Sequence, residues 1–203
     1  MKRRDLLILA AGSLAPFPVW SSAVAGRAAP AFEILDSQMR KRSLAEFKGK
    51  TVVLEWTSAS CPFVRAQYES GVMPELQRWA ATQGLIWLSV LSTHPSRRDY
   101  LPPEKADAMH RKRGGAPTAL LMDAAGIIGR AYGAVVTPHM FIIDAQGVVA
   151  YAGAISDNAT MNAREARASR NHVRAALDDL AAARKVATPS TRPFGCTIAY
   201  SGD

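Results

Sequence analysis

The run Thr51-Val52-Val53-Leu54-Glu55-Trp56, followed by the small residues Thr57-Ser58-Ala59-Ser60 and then Cys61-Pro62-Phe63-Val64-Arg65, constrains this chain more than any other feature. A β-branched apolar segment of that length reads as a strand. Pro62 reads as the first residue of a helix, where a missing N–H is harmless and the fixed φ is already helical. A strand that feeds directly into a helix belongs to a layered α/β architecture. The junction also sets Cys61 just outside the helix, where the first N–H groups are unpaired and the dipole is positive. That position favours the thiolate, which is the nucleophilic form of cysteine. A lone cysteine is otherwise most often a small buried apolar residue. Strand, turn and Cys-Pro together point to a reactive sulfur.

The rest of the chain fits the same plan. At 203 residues it is one domain with appendages. Leu85 to Leu91 is continuously apolar, the mark of a strand buried on both faces, and Thr118 to Met122 is a shorter one. Phe32 to Leu35 alternates like an edge strand. Met140–Asp144 and Val148–Tyr151, around a turn at Ala145-Gln146-Gly147, form a β-hairpin. Helices are predicted from Pro62 to Gly71, from Pro74 through Ala81, from Pro103 to about Lys112, and from Gly126 to Tyr132. One long Ala/Arg-rich helix is predicted from Ala163 to Lys185, and Ser43-Leu44-Ala45-Glu46 reads as a capping box. The segment from Thr188 to Asp203 has no strong periodicity. The sum is an α/β sandwich with a mixed central sheet, the Cys61 turn standing at the end of a central strand.

The N-terminus reads as an export signal over residues 1–25. Lys2-Arg3-Arg4 is a charged start, Leu6 to Ala15 a short apolar run, and Ala23-Val24-Ala25 a small-residue cleavage site. Arg3-Arg4-Asp5-Leu6-Leu7 fits a twin-arginine signal as well as a general secretory one. The expected location is therefore periplasmic or secreted, with no stable membrane anchor after cleavage. The main domain would run over 26–187 and a tail carrying Cys196 over 188–203. In an oxidising compartment a thiol is either paired or engaged in redox chemistry. The net charge is +8, but the basic residues are scattered and not interleaved with aromatics, so no nucleic-acid partner is expected.

The framework Phe32…Leu35-Asp36, Ser43-Leu44…Phe47-Lys48-Gly49-Lys50, Val52–Trp56, Cys61-Pro62 resembles the alkyl hydroperoxide reductase/thiol-specific antioxidant (redoxin) superfamily. So does Tyr132-Gly133…Thr137-Pro138-His139-Met140-Phe141-Ile142-Ile143-Asp144…Gly147. The resemblance covers roughly residues 31–155 and is closest to the peroxiredoxin-like branch. It implies a thioredoxin fold and a thiol-dependent oxidoreductase that needs no cofactor or metal. It implies that Cys61 is the nucleophile, that Pro138 is a cis-proline facing the sulfur, and that the backbone of Thr137 meets the substrate. The implied partners are protein or small-molecule disulfides, or peroxides, with an external thiol as reductant.

Departures from the family pattern matter equally. Val64 stands where thioredoxins carry a second cysteine. Leu54 and Ser58 stand where peroxiredoxins carry a proline and a threonine, and Pro138 replaces their arginine. Ser58 still offers a hydroxyl, and Arg65, one turn beyond Cys61, is the candidate replacement cation. Cys196 is the only other cysteine. It could resolve an oxidised Cys61 within the chain, do so across a dimer, or form a permanent structural disulfide. Reduction of hydroperoxides, a soft copper site built from Cys61, Cys196 and His139, and a scaffold kept only for interaction are the competing readings. His94, His110 and His172 show no ligand spacing.

Overall fold

The computed structural model describes residues 23–200. The charged start and apolar run of the expected signal lie outside them. In chain order the elements are β1 (Glu33–Leu35), β2 (Lys41–Ser43), a 3-10 turn (Leu44–Phe47), β3 (Val52–Trp56), α1 (Pro62–Glu69), α2 (Val72–Thr82), β4 (Ile86–Leu91) and α3 (Pro103–Lys112). They continue with β5 (Ala119–Met122), α4 (Ile127–Tyr132), β6 (Val136–Thr137), β7 (His139–Ile143), β8 (Val149–Gly153), α5 (Ala163–Ala168), α6 (His172–Ala181) and β9 (Cys196–Thr197).

The core sheet has the order β5-β4-β3-β7-β8. Strand β3 lies at its centre, parallel to β4 and antiparallel to β7, with Trp56 opposite Val90 on one side and His139 on the other. Every residue of β3 is buried, which is why its sequence shows no polar alternation. The pleat still sorts its side chains. Val52, Leu54 and Trp56 face one apolar layer with Leu88, Leu121, Tyr132 and Phe141. Val53 faces the other layer, where Met140, Ile142 and Trp87 meet Val64 of α1, Met73 of α2 and Val173 of α6.

Between these apolar layers β3 also buries a carboxylate. Glu55 accepts hydrogen bonds from Tyr68 Oη (3.0 Å), Gln77 Nε2 (2.9 Å), Trp87 Nε1 (2.9 Å) and Ser89 Oγ (2.9 Å). Burial raises its pKa, and the four donors work against that rise.

Three local expectations are corrected. The long Ala163–Lys185 helix is two helices, α5 and α6, because Asn171 turns its side chain back to accept from the Arg174 N–H and caps the second. Asparagine competes for backbone donors in this way, so it starts helices more readily than it continues them. Ser43 makes no capping hydrogen bond. It closes β2 instead, paired with Glu33 of β1, while Glu46 meets Arg42 in an ion pair. The aperiodic tail contains β9, paired antiparallel with β6. Around the expected cleavage site, Ala23 is buried and the Gly26 N–H donates to the Val149 carbonyl.

Two histidines are buried neutral. His110 of α3 lies edge-on to Tyr68, and His139 of β7 lies tilted against Phe141, 4.5 Å between centroids. Burial, helped at His110 by the charge of Arg113, lowers each from 6.5 to about 4. The folded state thus holds fewer protons than the unfolded chain between those values, and the stability these rings contribute is lost as pH falls through that window. Each ring accounts for on the order of 3 kcal/mol across the whole window. Glu55 and Asp123, whose pKa values burial raises, act in the opposite sense. Urea denaturation at pH 7 and pH 4.5 should therefore show a shallower pH slope for His139→Phe than for the parent. An unchanged slope would refute the neutral buried ring.

Candidate active site

Cys61 is the N-cap of α1 with extended backbone (φ −71°, ψ 119°), and Pro62 follows at the first helical position. Its carbonyl accepts from the Arg65 N–H, so the residue belongs to the first turn of the helix while its side chain stays outside it. The side chain is 1% exposed. Its S–H donates to the Thr137 carbonyl at 3.0 Å. Thr137-Pro138 is a cis peptide, as the family resemblance implied. The short strand β6 thus brings Thr137 against the sulfur through backbone alone.

The tail supplies the second thiol. In the β6–β9 pair Cys196 stands opposite Thr137, and Thr197 opposite Val136. The Cys196 thiol is pushed up to about 12, first by burial and then by its hydrogen bond to Cys61 and by the charge there. Both cysteines are free. Gly195 makes the approach possible. Its φ of +142° suits glycine, and a Cβ at this position would collide with the Thr137 carbonyl. Phe194 packs on Phe63 of α1 at 5.9 Å between centroids.

The other expected site residues behave differently. Ser58 turns its hydroxyl to the Ser60 N–H at 3.3 Å, and Ser60 donates in turn to Asp99 at 2.6 Å. The Arg65 side chain is 59% exposed and pairs with Glu69 at 3.7 Å, so it serves the solvent face of α1. The cation that reaches the Cys61 loop is Arg113, at the end of α3. Its guanidinium donates to the carbonyls of Ala59 (2.6 Å) and Ser58 (3.4 Å). Burial lowers its pKa, with the nearby Arg65 acting in the same sense and Tyr68, Glu69 and Cys61 in the opposite one. In the sequence Arg113 belongs to the basic run Arg111-Lys112-Arg113 at a helix end, a pattern that ordinarily faces solvent. The Gly114-Gly115 stop that follows was the one sign that the chain turns back there.

A cavity of about 230 Å³ opens beside Cys196 and Thr137, lined also by Ser58, Ser60, Thr93, Arg97 and Asp99 among others. Among the described residues no three His, Cys, Asp or Glu side chains converge as a metal ion requires. His139 instead accepts at Nδ1 from the Val135 N–H. Two free thiols that meet at Thr137, beside a helix N-terminus and a half-buried arginine, are equipped for two-electron redox chemistry.

The AhpC/TSA family model matches residues 25–152. The chain belongs to the AhpC/TSA family. Solved structures extend the likeness over nearly the whole chain. A hypothetical protein from Sinorhizobium meliloti superposes with a TM-score of 0.76 at 24% identity, covering 90% of this chain and 98% of that one. A conserved protein from Geobacillus kaustophilus gives 0.75 at 23% identity, covering 89% and 94%. The thioredoxin domain of a thiol-disulfide oxidoreductase from Bacteroides vulgatus gives 0.50 at 21% identity, covering 63% and 86%. At these identities the likenesses show the fold, which is thioredoxin-like. No curated protein matches the chain.

The two arginines separate by experiment. In a Cys196→Ser background, Arg113→Met should slow iodoacetamide alkylation of Cys61 at pH 7 roughly fivefold, the effect of a half-buried charge worth about 1 kcal/mol. Arg65→Met should change it by less than about twofold, as expected for an exposed ion-paired side chain. The reverse order would restore Arg65 as the relevant cation.

Proposed function

We propose that this AhpC/TSA-family protein is a thiol–disulfide oxidoreductase in which Cys61 is the nucleophile and Cys196 of the same chain the resolving thiol. One observation carries the reading. The tail sets Cys196 opposite Thr137, the residue whose carbonyl takes the Cys61 S–H, so both free thiols meet at one backbone position. The Cys61 thiolate attacks one sulfur of a substrate disulfide, whose S–S bond breaks and releases a thiolate that takes up a proton. Cys196 then loses its proton and attacks Cys61 Sγ, breaking the mixed disulfide and releasing the second thiol. Two electrons and two protons pass to the substrate, and a Cys61–Cys196 disulfide remains for an external thiol to reduce.

The export signature Lys2-Arg3-Arg4…Ala23-Val24-Ala25 supports a site of action outside the cytoplasm. A second reading, hydroperoxide reduction, is favoured by the matched family itself. There Cys61 attacks the O–O bond, an alcohol leaves, and Cys196 condenses with the sulfenic acid to release water and form the same disulfide. It stands second because Pro138 replaces the family arginine that would stabilise charge developing on the peroxide, and Leu54 replaces the family proline upstream.

Mass spectrometry of the reduced protein, before and after one equivalent of a small aromatic disulfide, tests the assignment. The expected product has lost two hydrogens and carries a Cys61–Cys196 crosslink. Cys196→Ser should instead retain half of the reagent on Cys61, and Cys61→Ser should react at least about tenfold more slowly, since burial, the larger cause, still disfavours the Cys196 thiolate. Comparable reaction of Cys61→Ser at Cys196 would overturn the roles. Comparison of rates with hydrogen peroxide and with the disulfide ranks the two readings.

A further inference from the structure

We propose that the C-terminal segment Pro189–Tyr200 is the specificity element of this site: it takes the backbone edge beside Cys61 that an extended polypeptide would need, and so directs the reaction to low-molecular-weight disulfides. The inference rests on the reading of Cys61 as nucleophile and adds to it the class of substrate.

The segment is a strap held on both sides of Cys196. Before it, the Ala152 N–H donates to the Pro189 carbonyl (3.1 Å) and the Thr191 N–H to the Ala152 carbonyl (3.2 Å). Thr191 Oγ1 also bonds Tyr151 Oη (2.6 Å) and accepts from the Ala154 N–H (2.9 Å). Gly153 leaves room for this, since a Cβ there would strike Thr191. Phe194 covers Phe63, and Gly195 lies directly on the Thr137 carbonyl. After Cys196, the Ile198 N–H donates to the Val135 carbonyl (3.0 Å) and Ile198 is buried. Tyr200 Oη donates to the Ala134 carbonyl at 2.7 Å, with the Arg130 guanidinium over its ring.

This arrangement displays how a cysteine on an extended chain reaches Cys61: the chain pairs antiparallel with Val136–Thr137 and presents its sulfur opposite Thr137. Another polypeptide would have to take the same line, one strand spacing of about 4.8 Å from β6. That line is already filled by the strap. What stays open is the polar-lined cavity of about 230 Å³, which reaches Cys196 and Thr137, the residue whose carbonyl takes the Cys61 S–H. It falls below the roughly 300–1,000 Å³ of drug-sized sites, and it suits a small polar disulfide. A protein chain reacts only in the fraction of molecules whose strap is lifted. If that fraction is about 1%, its reaction is slowed about 100-fold.

The test uses full-length Cys196→Ser protein, which reports only the first attack by Cys61. Its rate of mixed-disulfide formation is measured with bis(2-hydroxyethyl) disulfide and with an unstructured peptide whose single cysteine carries the same 2-hydroxyethylthio group. The small disulfide should react faster by about tenfold or more, the ratio set by the open fraction. Adding Thr191→Ala and Phe194→Ala should raise the peptide rate at least about fivefold while the small-disulfide rate moves by less than about threefold. Equal rates for the two probes on the intact strap would overturn the proposal, and that comparison needs no strap variant to fold. A loosened strap with an unchanged ratio would overturn it as well. Failure of Cys61 to react with either probe would instead sink its assignment as nucleophile.

Discussion

A single buried carboxyl group, Glu55, organises the surroundings of the candidate site. The Glu55 carboxylate has no solvent to stabilise it, and an unpaired buried carboxylate would be very costly. Its four donors come from α1, α2 and β4, so the strand, the helix that begins at Cys61 and the next helix must all stand in one arrangement to satisfy it. The network continues outward. Gln77, which donates to Glu55, accepts from the Ala116 N–H at 2.7 Å and so fixes the chain just after α3. Three residues before Ala116 is Arg113, whose guanidinium returns to the carbonyls of Ser58 and Ala59 at the other end of β3's exit loop. One carboxylate therefore sets both the start of α1 and the cation beside it. A half-satisfied network would loosen both at once.

The second constraint is steric and lies in two glycines. Gly153 makes room for Thr191, and Gly195 lets the tail backbone rest on the Thr137 carbonyl. Neither contact is apolar burial, and neither would survive a side chain at these positions. They act with Phe194 and Ile198, which supply the apolar anchoring, to turn a stretch without regular pattern into a placed strand. A two-residue strand holds its place through such flanking contacts, because its own ladder is too short to do so.

How far the sequence could be read follows from the range of the forces involved. The β3–Cys61–Pro62 junction, the buried β4 run and the β7–β8 hairpin are all legible, because each is written in adjacent residues, whereas the cis peptide before Pro138 comes only through the family resemblance. The mixed sheet followed from their order. The break between α5 and α6 was visible in principle at Asn171, but an Ala/Arg-rich pattern on both sides hides a capping residue. Strand β9 left no trace, since its partner lies far away in the chain and two residues carry no period. Arg113 was misjudged for a related reason. A basic run at a helix end normally faces water, and only the Gly114-Gly115 reversal and the distant Gln77–Ala116 bond turn this one inward. Arg65 looked better because it is close in sequence to Cys61, yet helix geometry gives it Glu69 as its neighbour.

The electrostatics of the two thiols bear on the order of events in the proposed cycle. Burial is the larger cause of the raised Cys196 pKa, and contact with Cys61 and its charge is the next. While Cys61 is the anion, a second thiolate beside it is opposed by repulsion, and the Cys196 S–H is retained as a donor to it. Attack on a substrate converts Cys61 to a neutral mixed disulfide and removes that charge. The contribution of Cys61 to holding the Cys196 proton then disappears, at the moment when Cys196 is required to become a nucleophile. Resolution is in this way coupled to completion of the first step by the same contact that keeps Cys196 quiet before it. The arrangement needs the two sulfurs to stay in register, which the pairing of Cys196 with Thr137 supplies.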